Sequence, residues 1–311
     1  MGIRNDKQVE HNILAHNRTY EMYEELHGEI FNPIEQERLR KELQGAANNI
    51  KTSSQQKKAL DYGCGAGNVT KYLLGLGFHT IASDVADKFL KVVEKRYAST
   101  KMLATLKIHG QDLAGIEDGY FDFVVTYSVL HHVPDYLAIV KEFMRVLKPG
   151  GVIYIDHERN EGYWHPDNHY IEYQRLARKE VLKKSWERYL RLSTYVNGIR
   201  RIINPRYQAE DDMHSWLDDH ISWKRYFKLS SYVNVTRRII SPRYKAEGDI
   251  HVWPDDHIEW NKIEQLMTDN QCEIILKKEY LLYAKGYPVY LYEKYKDRCS
   301  DLCVLVARKM K

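Results

Sequence analysis

Apolar residues in this chain fall into short blocks of two different periods, and the alternation of those periods predicts an α/β architecture. Ala59-Leu60 runs into Asp61, Phe78 to Ala82 runs towards Asp84, and a third short block precedes His109-Gly-Gln-Asp112. Phe121-Asp-Phe-Val-Val-Thr-Tyr-Ser128 and Val152 to Asp156 make a fourth and a fifth block of strand length. Further on, Ile263 to Met267 reads as a helix, and Glu273 to Leu282 and Leu302 to Ala307 as two last strands. Ahead of the first strand, Tyr20, Tyr23, Leu26 and Ile30 recur at helical steps. Asn32-Pro33 then breaks the run, and Glu35 to Leu43 resumes it. Residues 45–58, rich in Asn, Ser, Gln and Lys, read as a polar linker. The pattern implies a doubly wound sheet with an N-terminal helical cap.

The chemistry begins where the first strand ends. Residues 59–68 read Ala-Leu-Asp-Tyr-Gly-Cys-Gly-Ala-Gly-Asn, with Gly63, Gly65 and Gly67 at alternate positions. Without β-carbons, these residues permit a tight turn whose backbone N–H groups come close to a ligand. The spacing is G-x-G-x-G; a dinucleotide fingerprint wants G-x-G-x-x-G, and Asp61 would repel a pyrophosphate. A ligand with an ammonium and a carboxylate suits the loop better. Asp84, 21 positions after Gly63, is spaced to accept from both hydroxyls of a ribose, and Asp112 could bond an adenine amine.

These pieces, followed in order by Phe-Asp-Phe-Val-Val, Leu130-His-His-Val133 and Leu147-Lys-Pro-Gly-Gly151, resemble the class I S-adenosylmethionine-dependent methyltransferases over residues 59–158. The alternative is a doubly wound domain whose glycines serve only turns and whose aspartates only cap helices. The resemblance implies a seven-stranded, mostly parallel sheet with an antiparallel strand inserted beside the fifth. It also implies S-adenosylmethionine as cofactor, with Gly63, Cys64, Gly65 and Gly67 near its methionine moiety and Asp61 near its ammonium. Asp84 with Val85 would take the ribose, and Asp112 and Leu113 would lie beside adenine. Tyr127 and, from the cap, Tyr20 complete the expected cofactor contacts, with Tyr23 a further candidate; aromatic residues at this spacing also serve as plain core packing. Tyr62 departs from the small or apolar residues commoner at its position. On this frame, residues 1–55 are cap and linker, 56–158 the cofactor-binding core, 159–257 a largely helical insertion after strand five, and 258–311 the elements that complete the sheet.

The insertion contains a tandem repeat of period 37: Tyr189 to Trp223 aligns without gaps to Tyr226 to Trp260. Both copies carry Arg-Arg-Ile-Ile-x-Pro-Arg-Tyr and end in His-x-Trp-x-Asp-Asp-His-Ile-x-Trp. Two units are too few for a solenoid, so the duplication reads as internal to the insertion, each copy ending in a turn and a helix start. The His/Asp signature suits a metal, but the six-residue spacing of His214 and His220 departs from a helical ligand pair; helix capping is the favoured reading, and no metal is expected. Between Ile171 and Lys245 there are 17 Lys or Arg against 8 Asp or Glu, whereas the whole chain is only +4. A basic, aromatic-bearing lid points to an anionic acceptor or to peripheral contact with a membrane, the plain alternative being a solvated helix face. No DNA partner is expected, and RNA ranks low because Glu210-Asp211-Asp212 and Asp218-Asp219 interrupt the basic stretch.

At 311 residues and 43% apolar, the chain can bury a core, and it has no apolar run of about 18 residues. Its opening Met-Gly is followed by Asp6 where a myristoylation pattern needs Ser or Thr, and no secretory segment follows, so a cytoplasmic location is expected. The four cysteines, Cys64, Cys272, Cys299 and Cys303, have no metal spacing and read as free thiols. Methyl transfer is an in-line displacement that needs positioning above all, and a hydroxyl acceptor needs a base. His157, at the end of strand five, is the first candidate base; His132 and His131, after strand four, are candidates to line the site. The expected activity is methylation of a small molecule on oxygen, an anionic, glycan or lipid-linked one. An RNA or protein methyltransferase, or a catalytically silent cofactor-binding protein, is the alternative.

Overall fold

The structure, a computed structural model, describes residues 9–10, 12–14, 16–17, 20, 23–190, 251–284 and 286–311. The chain divides into two units, Met1–Leu176 with Glu247–Lys311, and Ala177–Ala246. Of the second unit, only 177–190 are described; most of the repeat, including all of copy one from residue 191 onward, lies outside the described residues.

The first unit is built on a seven-stranded sheet. Its strands are β1 (Lys58–Tyr62), β2 (His79–Asp84), β3 (Leu103–Lys107), β4 (Phe121–Tyr127), β5 (Leu147–Arg159), β8 (Cys272–Tyr280) and β9 (Leu302–Lys309). The order across the sheet is β3-β2-β1-β4-β5-β9-β8. The first five are parallel, and β9 is inserted antiparallel between β5 and β8. Every residue of β4 is buried, the pattern of a central strand covered on both faces, and its continuous apolar run follows from that. A short hairpin, β6 (Val252–Trp253) and β7 (Asp256–His257), stands apart from the sheet.

Helices cover both faces. Helix α1 (Pro33–Ala47) starts at Asn32, whose side-chain oxygen accepts from Glu35 N at 3.0 Å, and Pro33 occupies the first helical position. It buries Glu35, Leu39, Leu43 and Ala46 on one stripe, so the expected linker at 45–58 loses its first residues to the last turn of this helix. Helices α2 (Thr70–Gly75), α3 (Asp87–Arg96) and α4 (Tyr136–Val146) connect the parallel strands. After β5 come α5 (Glu161–Trp164) and α6 (Asn168–Leu190), then α7 (Trp260–Asp269) before β8 and α8 (Val289–Tyr295) before β9. Copy two of the repeat ends in the β6–β7 hairpin and then starts α7 at Trp260, a turn followed by a helix start. The described residues of 9–17 are helical, and among the described residues no helix is long and apolar enough to cross a membrane.

Candidate active site

The carboxyl ends of β1, β2 and β4 meet at one cavity of about 660 Å³ including its open mouth, lined by Tyr62, Gly63, Gly65, Asp84, Val85, Tyr127 and His132 among others. Its place is the crevice where strand order reverses in a doubly wound sheet, and its size suits a nucleoside-sized ligand.

Gly63 has φ +74°, and a β-carbon there would lie 2.5 Å from Val129 Cγ2, so the residue must be glycine for the loop to sit against the β4 turn. The loop N–H groups are largely spent inside the protein. Gly63 N and Cys64 N donate to Ser83 O, Gly65 N to Asp84 Oδ2 and Gly67 N to Cys64 O. What the glycines supply is therefore close approach, more than the free donors implied by the sequence. Cys64 is buried, and neither it nor Gly67 is among the cavity-lining residues.

Asp84 is buried, accepting from Gly65 N on one oxygen and Ala86 N, at 2.8 Å, on the other. A carboxylate has about four acceptor positions, so two remain for a ribose. Burial pushes its pKa up to about 6, opposed by those N–H groups. Asp61 lies elsewhere: its carboxylate accepts from Thr70 Oγ1 at 2.6 Å, fully buried, and burial pushes its pKa up to about 7. It does not line the cavity, and neither does Asp112, which is exposed and accepts from Ala114 N in its own turn, nor Leu113, buried with its N–H on Glu142. Where adenine was expected to meet Asp112 and Leu113, the wall is Val85, Ile108 and Gly110. The cap contributes Val9, Asn12, His16 and Tyr23. Tyr20 instead packs with Ala66, Ala86 and Phe89, under the Lys88 ammonium.

The turn after β4 is held from below by a buried carboxylate. Glu158 accepts from Val129 N at 2.9 Å, Leu130 N at 2.7 Å and His131 Nδ1 at 2.8 Å. This fixes a stretch in which Ser128, Val129, His132 and Val133 line the cavity. The rings of His131 and His132 pack at a tilt with centroids 4.2 Å apart, and Asn12 donates to His132 O at 3.0 Å. From the other side, His251 N donates to His131 O, and its Nε2 lies 3.0 Å from Val133 O, so copy two of the repeat supports this turn.

His157 occupies an irregularity in the β5–β9 pairing with φ +65°, its ring 4.7 Å from that of Tyr127. It is buried, its Nε2 makes no hydrogen bond, and burial together with the charges of Arg159 and Arg38 holds its pKa well below the usual histidine range. Sequence reasoning missed Glu158 and Glu35 altogether. Both are acidic residues beside apolar runs, and the partners that tie them to the site, His131 for Glu158 and Tyr127 for Glu35, lie 27 and 92 positions away, so no local signal marks that role.

Residues 60–155 match the family model described as "Methyltransferase domain". Among characterised proteins, the ubiquinone biosynthesis O-methyltransferase of Thiobacillus denitrificans is 35% identical over 99 residues, which are 32% of this chain and 43% of that protein. Its counterpart in Methylococcus capsulatus is 33% identical over 104 residues, 33% of this chain and 44% of that protein. The chain thus spans less than half the length of these curated relatives. The solved structure of an S-adenosylmethionine dependent methyltransferase from Mesorhizobium loti is 13% identical, covers 85% of this chain and 96% of its own, and has a TM-score of 0.48.

Proposed function

We propose that the protein, whose residues 60–155 match a methyltransferase-domain model, is an S-adenosylmethionine-dependent methyltransferase that transfers the cofactor's methyl group to an oxygen of a small-molecule acceptor. The observation that carries this reading is the single cavity joining the glycine loop, Asp84 and the β4 turn. The residues fit the cofactor: the loop has no β-carbon where Val129 stands, and Asp84 keeps acceptor positions for a ribose. Val85 and Ile108 offer an apolar wall to a base, and Tyr23, Tyr62 and Tyr127 surround the remainder. When bound, the cofactor supplies an electrophilic methyl on sulfur; the chain's part is to align it with the acceptor and exclude water.

For the acceptor proton we favour His131 over His157: neither lines the cavity, but His131 stands on the turn that does and its ring packs on that of cavity-lining His132. With Nδ1–H donated to Glu158, the basic lone pair of His131 is on Nε2, and the buried carboxylate stabilises the imidazolium formed when that nitrogen takes a proton. His157, buried and held neutral, packs on cavity-lining Tyr127 and does not itself line the cavity. Glu158 is a positioning residue, acting through His131 and the turn.

An oxygen acceptor is the reading that the relatives' names favour. Its charge is inferred from the insertion: Arg175, Arg178, Lys179, Lys183 and Lys184 are all exposed on α6, which suits an anionic or membrane-associated acceptor. The test is incubation with methyl-labelled S-adenosylmethionine and fractionated host extract. Label in an acidic small-molecule or lipid fraction supports the proposal; label confined to RNA or protein, or cofactor binding with no transfer, overturns it. His131→Ala should lower kcat by roughly 10²- to 10⁴-fold while leaving cofactor affinity nearly unchanged.

A further inference from the structure

Beneath the cavity wall lies a buried ionic cluster that the reaction as described does not use. Glu35, 2% exposed on the first turn of α1, accepts from Arg38 Nε at 2.9 Å on one carboxylate oxygen and from the Tyr127 hydroxyl at 2.9 Å on the other. Arg38 reaches on to Asp156 Oδ2 at 2.8 Å and lies 3.9 Å over the Tyr280 ring. Asp156, fully buried, accepts from Arg38, the hydroxyls of Tyr154 and Tyr280, and His157 N. One guanidinium therefore serves two carboxylates, and with both ionised the cluster holds a surplus negative charge. Other titratable groups acting on it include Tyr72 from α2, Tyr292 from α8, Cys303 from β9 and, through Tyr154, Glu42 from α1, with neutral His157, itself facing Arg159, packed on Tyr127. Tyr127 joins the cluster to the cavity, being hydrogen-bonded to Glu35 and part of the cavity wall. Among the described residues lining the cavity there is no lysine or arginine.

Resting on the cofactor assignment above, we propose that Glu35 makes this site prefer the charged methyl donor to its spent product. The donor's sulfur is a cation. Once the C–S bond breaks, its electron pair stays on sulfur, the methyl carbon bonds to the acceptor oxygen, the acceptor's proton passes to the base, and the sulfur is left as a neutral thioether. A buried anion behind the cavity wall attracts the first ligand and not the second, so the product is released from a site that no longer favours it. Burial, with Asp156 adding to it, raises the pKa of Glu35, while Arg38 and Tyr127 pull it down. The counter-charge is therefore lost on acidification and drawn out by a cation. A unit charge acting across a tyrosine side chain, roughly 8 Å at an effective dielectric of about 20, is an effect on the order of tenfold or more.

The test is calorimetric titration of the full chain with S-adenosylmethionine and, separately, S-adenosylhomocysteine. Glu35→Gln keeps a partner for Tyr127 and should weaken the first ligand on the order of tenfold and the second less than twofold. In the unaltered protein, the affinity ratio should fall as the pH is lowered from neutral, and in Glu35→Gln it should stay flat. The ribose hydrogen bonds of Asp84 cancel from this ratio because both ligands carry the ribose, but its charge, which also titrates, does not, so the pH dependence belongs to Glu35 where Glu35→Gln abolishes it. Equal weakening of both ligands, or a pH-independent ratio in the unaltered protein, would mean that Glu35 is structural and would sink the proposal. If the variant does not fold, the ratio is measured in Asp84→Asn instead, where a remaining pH dependence supports Glu35 and its loss overturns the proposal. If neither ligand binds the unaltered protein, it is the cofactor assignment that fails.

Discussion

Asp61 and Asp84 lie at the ends of adjacent strands, and their differing surroundings separate a structural carboxylate from a binding one. Both have pKa values raised by burial, to about 7 and about 6. A carboxyl whose folded pKa lies above its unfolded value adds stability that is complete below the unfolded pKa and is lost as pH rises through the folded one. The cofactor-free protein should therefore lose stability between about pH 4 and pH 7, by about 7 kcal/mol at most for the two groups together. Asp61→Asn, which still accepts from Thr70, should flatten that slope in urea titrations at pH 5 and pH 8; an unchanged slope would mean that Asp61 is not the group responsible. Asp84→Asn should act on the ligand instead, weakening cofactor binding by about 1–3 kcal/mol through the loss of a charged acceptor. Equal cofactor affinity in variant and parent would remove Asp84 from the ribose site.

Elements position these residues, and the glycine loop shows how tightly. Gly63→Ala places a methyl group against Val129 at a left-handed backbone position, and should cost about 1–3 kcal/mol in stability as well as cofactor affinity. Adding Val129→Ala should recover the steric part only; full recovery would mean that φ +74° is not a constraint. The same loop marks where sequence reading stops. The strands were legible because each is a short apolar block bounded by turn residues, whereas the inserted antiparallel strand followed from the resemblance to the methyltransferases and not from the blocks. Side-chain direction was not. Successive residues of a strand point to opposite faces, so the period that revealed β1 leaves open which of Asp61 and Tyr62 meets the ligand; the structure turns Asp61 to Thr70 and puts Tyr62 in the cavity wall. Asp112 failed as an adenine contact for a local reason, since a short acidic side chain in a turn satisfies its own backbone. Glu35 with Tyr127 and Glu158 with His131 are pairings made by tertiary packing, and no periodicity encodes them.

For the whole molecule, the repeat poses a question of interchangeability. In copy two, His251 is hydrogen-bonded to the backbone of His131 and Val133 and paired with Asp256, Glu259 N donates to the Tyr136 hydroxyl, and buried Trp260 donates to Arg159 O. Copy one has the same residue types at His214, Asp219 and Trp223. Because the alignment has no gaps, two deletions of 37 residues leave the same spacing to Ile263 of α7. Removing Tyr189 to Arg225 keeps the copy-two ending, and removing Tyr226 to Lys262 substitutes the copy-one ending. The first deletion should fold and bind cofactor with affinity within about twofold, since every contact just named is retained. The second brings Leu217 to the place of Pro254 and Ser222 to that of Glu259, which loses a turn-favouring proline and the Glu259–Lys262 ion pair. It should fold with stability lower by about 1 kcal/mol, the scale of a turn substitution and an exposed pair. Urea unfolding of the two proteins side by side checks this. If the second fails to fold while the first is intact, the shared signature is insufficient to support the His131 turn, and the residues that differ between the copies are what make copy two part of the core.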